Sequence, residues 1–268
     1  MKLITYSKNS NQQVAFYVNE MLFDVNMITT SLPTTLKELL EDWGHYQPIA
    51  QKAYEQLLAS TEGFIGIAYQ DACIMAPIPN PSSCRDGYAF RQHVAAARRN
   101  RKVDMIPEFD AYPIFYFTNH NAIQGPGAIE CMPDHFQKLD FELEIAAVIG
   151  KKGRNFTAAE ADQYIAGYTI MNDMSARTLQ MEEMLLNLGP AKGKDFSTVI
   201  GPMFVTPDEL AAYRVSAKEN HTGAAYNLTM KCWVNGVLVS EGNVADMDWT
   251  FAEIVERCAY GVDVLPGD

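Results

Sequence analysis

The chain is 268 residues long with 48% hydrophobic and 20% charged residues, the composition of a globular protein with one large domain or one domain plus a small appendage. Its 33 acidic residues outnumber 21 basic ones, and the net charge of −12 argues against nucleic acid as a partner, because phosphate binding needs a basic footprint. Five scattered cysteines (Cys73, Cys84, Cys131, Cys232, Cys258) without C-x-x-C spacing indicate neither a disulfide framework nor a zinc site, and so a reducing compartment. Met1-Lys2-Leu3-Ile4-Thr5-Tyr6 turns polar too early for a signal peptide. No apolar run approaches the ~20 residues of a membrane span, so no membrane association and a cytoplasmic location are expected.

In chain order, Leu3–Tyr6 and Val14–Val18 read as strands joined through the polar turn Ser7–Asn11, with a third short strand around Met21–Val25. Helices are expected over Thr35–Trp43 and Pro48–Leu58, because Pro33 and Pro48 sit where a helix would start. Pro77, Pro79 and Pro81 alternate in an extended linker, which places a domain boundary there: a small N-terminal unit over 1–75 and a second over 76–268. A helix from about Gly87 to Arg101 ends in the basic run Arg98–Lys102, which suits a solvated helix end. Ile114–Phe117, Phe141–Ile149, Gly167–Met171 and Met203–Val205 read as strands, and Ala158–Tyr164, Ser175–Leu186 and Phe251–Tyr260 as helices. Leu228–Ser240 is a hairpin, since Asn235-Gly236 between apolar runs suits a type I′ turn. Without a regular parallel βαβ rhythm, an α+β fold that is mainly antiparallel β fits best.

The most informative stretch is Leu139-Asp140-Phe141-Glu142-Leu143-Glu144-Ile145. In a strand it puts Asp140, Glu142 and Glu144 on one side, neighbours about 7 Å apart, and the apolar residues on the other. Such a row leading into the apolar Ala146–Ile149 is either the solvated face of an edge strand or a site compensated by a cation. Three further motifs accompany it. In Asp86-Gly87-Tyr88-Ala89-Phe90-Arg91-Gln92-His93, an Asp86 that caps a helix would share a face with His93, pairing a ligand with a general base; taken in isolation, capping and packing alone are the favoured explanation. In Asn172–Gln180, Asp173 is expected at a strand end, with Arg177 and Gln180 following at i+4 and i+7 on one helix face. In Gly189-Pro190-Ala191-Lys192-Gly193-Lys194-Asp195-Phe196, glycines around the lysines permit close backbone approach, though not with P-loop spacing.

Taken together and in this order, D-x-Y-x-x-R-Q-H, L-D-x-E-x-E, N-D-x-S-A-R-x-x-Q and G-K-x-F resemble the fumarylacetoacetate hydrolase family from about Ser82 to Pro207, with Leu265-Pro266-Gly267-Asp268 matching a later family segment. The resemblance implies the β-sandwich roll of the fumarylacetoacetase C-terminal type behind a small N-terminal α/β domain. It implies metal ligands at Asp86, Glu142, Glu144 and Asp173, a water-activating base at His93, and substrate or transition-state contacts at Tyr88, Gln180 and Lys194, with Arg177 a recurrent arginine of the same motif. An all-carboxylate set suits Mg²⁺ or Ca²⁺, with Mn²⁺ also compatible. The activity implied is metal-dependent hydrolysis of a C–C bond in a 1,3-diketo acid, in the first instance fumarylacetoacetate to fumarate and acetoacetate in tyrosine catabolism, by a homodimer.

Departures from the family pattern are local. The glutamate that commonly pairs with the family's histidine falls past Asp268, so the C-terminal end of the catalytic unit is expected to be missing. Met184 stands at a usually aromatic position, and one residue is inserted before Lys194. Rival readings are a decarboxylase or tautomerase of a 2-oxoacid, or an acylpyruvate hydrolase, on the same scaffold, and a non-catalytic metal-binding homologue.

Overall fold

The computed structural model describes residues 1–100 and 102–268, so Arg101 of the basic run lies outside the described residues. The strands are β1 (Lys2–Lys8), β2 (Asn11–Val18), β3 (Met21–Asp24), β4 (Ile67–Ala68), β5 (Cys73–Ile74), β6 (Cys84–Gly87), β7 (Phe115–Thr118), β8 (Ile123–Gln124), β9 (Leu139–Ile149), β10 (Ile165–Ala176), β11 (Thr198–Ile200), β12 (Met203–Val205), β13 (Arg214–Val215), β14 (Ala225–Tyr226), β15 (Thr229–Val234) and β16 (Val237–Asn243). The helices are α1 (Val25–Ile28), α2 (Leu36–Glu41), α3 (Trp43–Ala59), α4 (Arg91–Asn100), α5 (Ala158–Ala161), α6 (Arg177–Met184) and α7 (Phe251–Ala259). No helix among the described residues is long and apolar enough to cross a membrane.

A ten-stranded sheet runs β4-β3-β2-β1-β12-β10-β11-β8, with β5 also on β1 and β9 also on β10. Its pairs are antiparallel except β8 with β11, so the α+β, mainly antiparallel architecture expected from the sequence is present. The units separated at residue 75 in the sequence reading share this sheet, because β1 pairs with β12 from Lys2↔Val205 to Ile4↔Met203.

Local chemistry accounts for most boundaries. Asn9 and Ser10 take left-handed φ values of 51° and 65° between β1 and β2, and Asn235 and Gly236 do the same at 49° and 80° between β15 and β16, as type I′ hairpin turns require. Thr35 with Glu38 and Thr250 with Glu253 form capping boxes that start α2 and α7. One boundary is corrected: α3 starts at Trp43, and Pro48 lies inside it rather than at its start. Pro48 removes a single hydrogen bond near the helix start, and the buried stripe Ala50, Ala53, Tyr54 and Leu57 offsets that loss.

Two apolar cores position the site. The first packs Leu3, Val14 and Phe16 against Leu36, Leu39 and Leu57, and the second packs Phe251 and Val255 of α7 against Tyr168 and Tyr226. Adjacent residues of β9 enter opposite cores, Val148 the first and Ile149 the second; Ala166 and Ile165 of β10 do likewise. One end of this strand pair is therefore clamped on both faces. Its other end, Leu139–Ile145 opposite Ile170–Ala176, carries the acidic row.

Candidate metal centre

The register of β9 on β10 sets Glu142 opposite Asp173 and Glu144 opposite Met171, so Glu142, Glu144 and Asp173 share one face of the pair. Asp86 arrives from β6, whose partner β7 sets Tyr116 opposite it. Carboxylate oxygens of Asp86, Glu144 and Asp173 all lie within 4.8 Å of one another.

Two local expectations change here. Asp86 lies in β6 and does not cap a helix; α4 begins only at Arg91, so Asp86 and His93 share no helix face. Asp173 lies inside β10, which continues to Ala176 because β9 pairs with it that far, and α6 opens at Arg177. The site is thus assembled from two strand pairs, two helices and the loop that carries Lys194.

The remaining expected residues surround the carboxylates. Lys194, only 3% exposed, donates to Glu142 Oε2 at 2.9 Å and also to Asp173 Oδ2. Arg177 sits 2.7 Å from Glu142 Oε1 through Nη2 and donates through Nε to Asp140 Oδ2 at 2.7 Å. Both oxygens of Glu142 are therefore engaged by cationic side chains. Arg177 Nη1 donates to Gln180 Oε1 at 3.0 Å, which leaves the Gln180 amide hydrogens free to donate elsewhere. His93 Nε2 is 4.0 Å from Glu142 Oε1, beyond hydrogen-bond length, and its ring lies 6.3 Å from that of the exposed Tyr88. The first turn of α4 is fixed from a distant segment: Asp248 Oδ2 accepts from Arg91 N at 2.7 Å, and Asp248 N donates to Ala89 O at 2.7 Å.

Two residues that the sequence did not single out belong to the site. Tyr116 Oη contacts Asp173 Oδ2 at 2.7 Å and Asp86 Oδ2 at 3.0 Å. Its only signal was a place in an expected strand, and the β6–β7 register that brings it to Asp86 is invisible in one sequence. Glu183 of α6 accepts from the backbone amides of Ala191, Lys192 and Gly193 ahead of Lys194.

Electrostatics separates the carboxylates. Burial, and then the charge of Asp173, push Asp86 well above the ordinary carboxylate range; burial, then Asp86 and Asp173, do the same to Glu144. For Glu142, burial acts upward but Lys194, Arg177 and His93 prevail and hold its carboxyl at about 2. One phenol hydrogen cannot serve two carboxylates. With Tyr116 donating to Asp173, its contact with Asp86 calls for a protonated Asp86, in keeping with that group's upward shift.

These residues fit a divalent cation. Once their protons are displaced, Asp86, Glu142, Glu144 and Asp173, with Asp140, outnumber the two fixed cations Lys194 and Arg177 by five to two, an excess of negative charge that a divalent ion would offset. Asp173 is fully buried and its Oδ1 has no hydrogen-bond partner. The all-oxygen donor set of Asp86, Glu144 and Asp173 suits Mg²⁺, Ca²⁺ or Mn²⁺ over softer metals.

A pH dependence follows with a defined sign. Acids whose folded pKa is raised stabilise the fold below their ordinary values, near 3.8 and 4.5, and that stabilisation is lost as pH rises toward the folded values. A cation must displace those protons. Mn²⁺ affinity, measured by calorimetry in two buffers of different ionisation enthalpy, is expected to tighten from pH 5.5 to pH 8 with release of protons. A flat affinity without proton release would contradict it.

Comparison with known proteins places the chain among relatives of the same fold. Residues 83–268 match the family model described as fumarylacetoacetate (FAA) hydrolase C-terminal. The chain is 29% identical over 255 residues to the mitochondrial oxaloacetate tautomerase FAHD2B of Bos taurus, covering 92% of this chain and 71% of that protein. Among solved structures, fumarylacetoacetate hydrolase from psychrophilic Exiguobacterium antarcticum superposes with a TM-score of 0.71 at 21% identity, covering 100% of this chain and 84% of that one. Maleylpyruvate hydrolase from Sphingobium sp., in complex with manganese(II) and pyruvate, superposes with a TM-score of 0.70 at 18% identity, over 100% of this chain and 86% of that one. At such identities the superpositions establish the fold.

Proposed function

This chain belongs to the fumarylacetoacetate hydrolase family, and from that premise we propose a divalent-cation-dependent enzyme that hydrolyses the C–C bond of a small 1,3-diketo acid such as fumarylacetoacetate, yielding fumarate and acetoacetate. The observation that carries the reading is the convergence of Asp86, Glu144 and Asp173 next to Lys194 and His93. A bound cation would polarise the carbonyl under attack and offset the charge of a leaving enolate.

The chain's own residues supply the rest. His93 Nε2, on the exposed side of Glu142, removes a proton from a water that adds to the carbonyl carbon. The bond to the neighbouring carbon then breaks, its electron pair leaves with that fragment as an enolate, and the proton held by His93 is returned to the enolate carbon. Lys194 and the free amide hydrogens of Gln180 are the donors for the developing negative charge. Tyr88, exposed beside His93, is placed to contact the substrate at the mouth of the site. Family resemblance extends the proposal to Mg²⁺, Ca²⁺ or Mn²⁺ as the ion and to a homodimer, and the sequence of the first residues extends it to a cytoplasmic setting.

A second reading is tautomerisation of oxaloacetate, favoured by the relative of that name at 29% identity over 92% of this chain. It needs the same base and the same cation but no water. Fumarylacetoacetate, acylpyruvates and enol-oxaloacetate, each assayed with Mg²⁺ and with Mn²⁺, separate the two. Cation-dependent cleavage of a diketo acid supports hydrolysis. Acceleration of the oxaloacetate keto–enol exchange alone replaces it with the second reading.

A further inference from the structure

We propose that Glu183 is a positioning residue that holds the Lys194 ammonium against Glu142 and Asp173, by clamping the loop Gly189–Lys194 onto α6. Glu183 Oε2 accepts from Ala191 N at 3.0 Å and Gly193 N at 3.1 Å, and Oε1 accepts from Lys192 N at 2.8 Å. Three successive backbone amides make a concavity of the kind that binds anions. Here the anion comes from the helix that also carries Arg177 and Gln180.

The rest of the loop is built around that contact. Ala176 N donates to Gly193 O at 2.8 Å just ahead of α6, and Lys194 N donates to Ala191 O at 3.0 Å, closing the turn. A Cβ on Gly193 would lie 2.5 Å from Gln180 N, so the backbones meet where no side chain fits. Immediately after this contact the chain turns inward and Lys194 becomes buried. Glu142 is consequently held from both sides by groups that α6 fixes: Arg177 directly at Oε1, and Lys194 at Oε2 through the clamped loop. Burial acts to raise the Glu183 carboxyl, but the amides of Gly193, Ala191 and Lys192 prevail and hold it below the usual range.

The clamp lies outside the packing that stabilises the fold. No residue of α6 is buried, and none of residues 183–194 belongs to either core. Its loss should therefore act on the site more than on the fold.

The inference rests on the proposed function for its kinetic readout only. In the full chain, Glu183→Ala is expected to lower kcat about 30-fold with KM within about threefold, since a misplaced charge is felt mainly in the transition state. Glu183→Gln, which keeps one acceptor, should recover part of that loss, and the unfolding midpoint of each should fall by no more than about 5 °C, half the fall expected for Lys194→Met. Amide exchange at Ala191, Lys192 and Gly193 should speed up, and Lys194 should label with acetic anhydride at least about tenfold faster, relative to the exposed Lys192. Unchanged Lys194 labelling, or an unchanged kcat with the amides freed, overturns the proposal. A loss confined to KM, or matched by a larger fall in the unfolding midpoint without rescue by Glu183→Gln, also overturns it. Should wild type turn over none of the substrates, the functional reading fails on its own and the labelling ratio still decides the role of Glu183.

Discussion

Lys194→Met is expected to remove nearly all turnover and to destabilise the metal-free protein in the same step. The Lys194 ammonium bonds both Glu142 and Asp173, and those side chains are 15% and 0% exposed. Deleting one partner of a buried ion pair leaves the other charge uncompensated, at a cost of about 3–5 kcal/mol. For a chain of this size that corresponds to a fall of about 10 °C in Tm, measured by calorimetry in EDTA. Excess Mn²⁺ should restore part of it, because the ion replaces the missing positive charge. Loss of a donor at the developing negative charge should lower kcat by about 10²–10³-fold.

The acid limb of stability provides a further check on the same pair. The folded-state pKa of Glu142 is depressed to about 2, so its stabilisation is complete above the ordinary value of 4.5 and is lost as pH falls from there toward 2. In Lys194→Met only Arg177 and His93 remain to hold Glu142 down, so this acid-induced loss should shrink. An acid limb unchanged by Lys194→Met would show that the pair does not form.

The second large effect is expected at Asp173, and it should fall on the metal-bound form of the protein far more than on the metal-free one. Asp173→Asn removes one of three converging carboxylates and should weaken Mn²⁺ binding by at least about 100-fold, abolishing turnover. The metal-free protein should not be destabilised in proportion, because the substitution also relieves the repulsion that raises Asp86 and Glu144. Titration calorimetry with Mn²⁺, and Tm with and without the ion, test both halves. A large drop in metal-free Tm with intact Mn²⁺ affinity would make Asp173 a purely structural group.

Much of the architecture was legible because it rests on local signals. The alternation of Asp140 to Ile145 gives a strand and its acidic face, and Asn235-Gly236 gives a hairpin turn, since both depend on periodicity or turn chemistry within a few residues. The two failures at the site share one physical origin. Asp86 reads as a helix cap until β7, some 30 residues later, pairs with its segment and makes it a strand. Gly167–Met171 reads as a short strand ending before Asp173; β9 extends it to Ala176 by supplying partners for polar residues that would otherwise leave the sheet. In the site itself, residue types and order were enough to nominate the carboxylates, His93, Arg177, Gln180 and Lys194 by family resemblance. The partners of each were not, because Tyr116 and Glu183 enter through tertiary register and loop geometry that no spacing encodes.

The most direct test is a single-turnover and metal-binding comparison of wild type with His93→Ala, using fumarylacetoacetate in the presence and absence of Mn²⁺. Wild type should turn over only with the ion, and His93→Ala should keep Mn²⁺ affinity within about twofold while losing about 10²–10⁴-fold in rate, the range for removal of a general base. Wild-type turnover in EDTA, or His93→Ala acting at the wild-type rate, would contradict a cation-dependent reaction driven by His93.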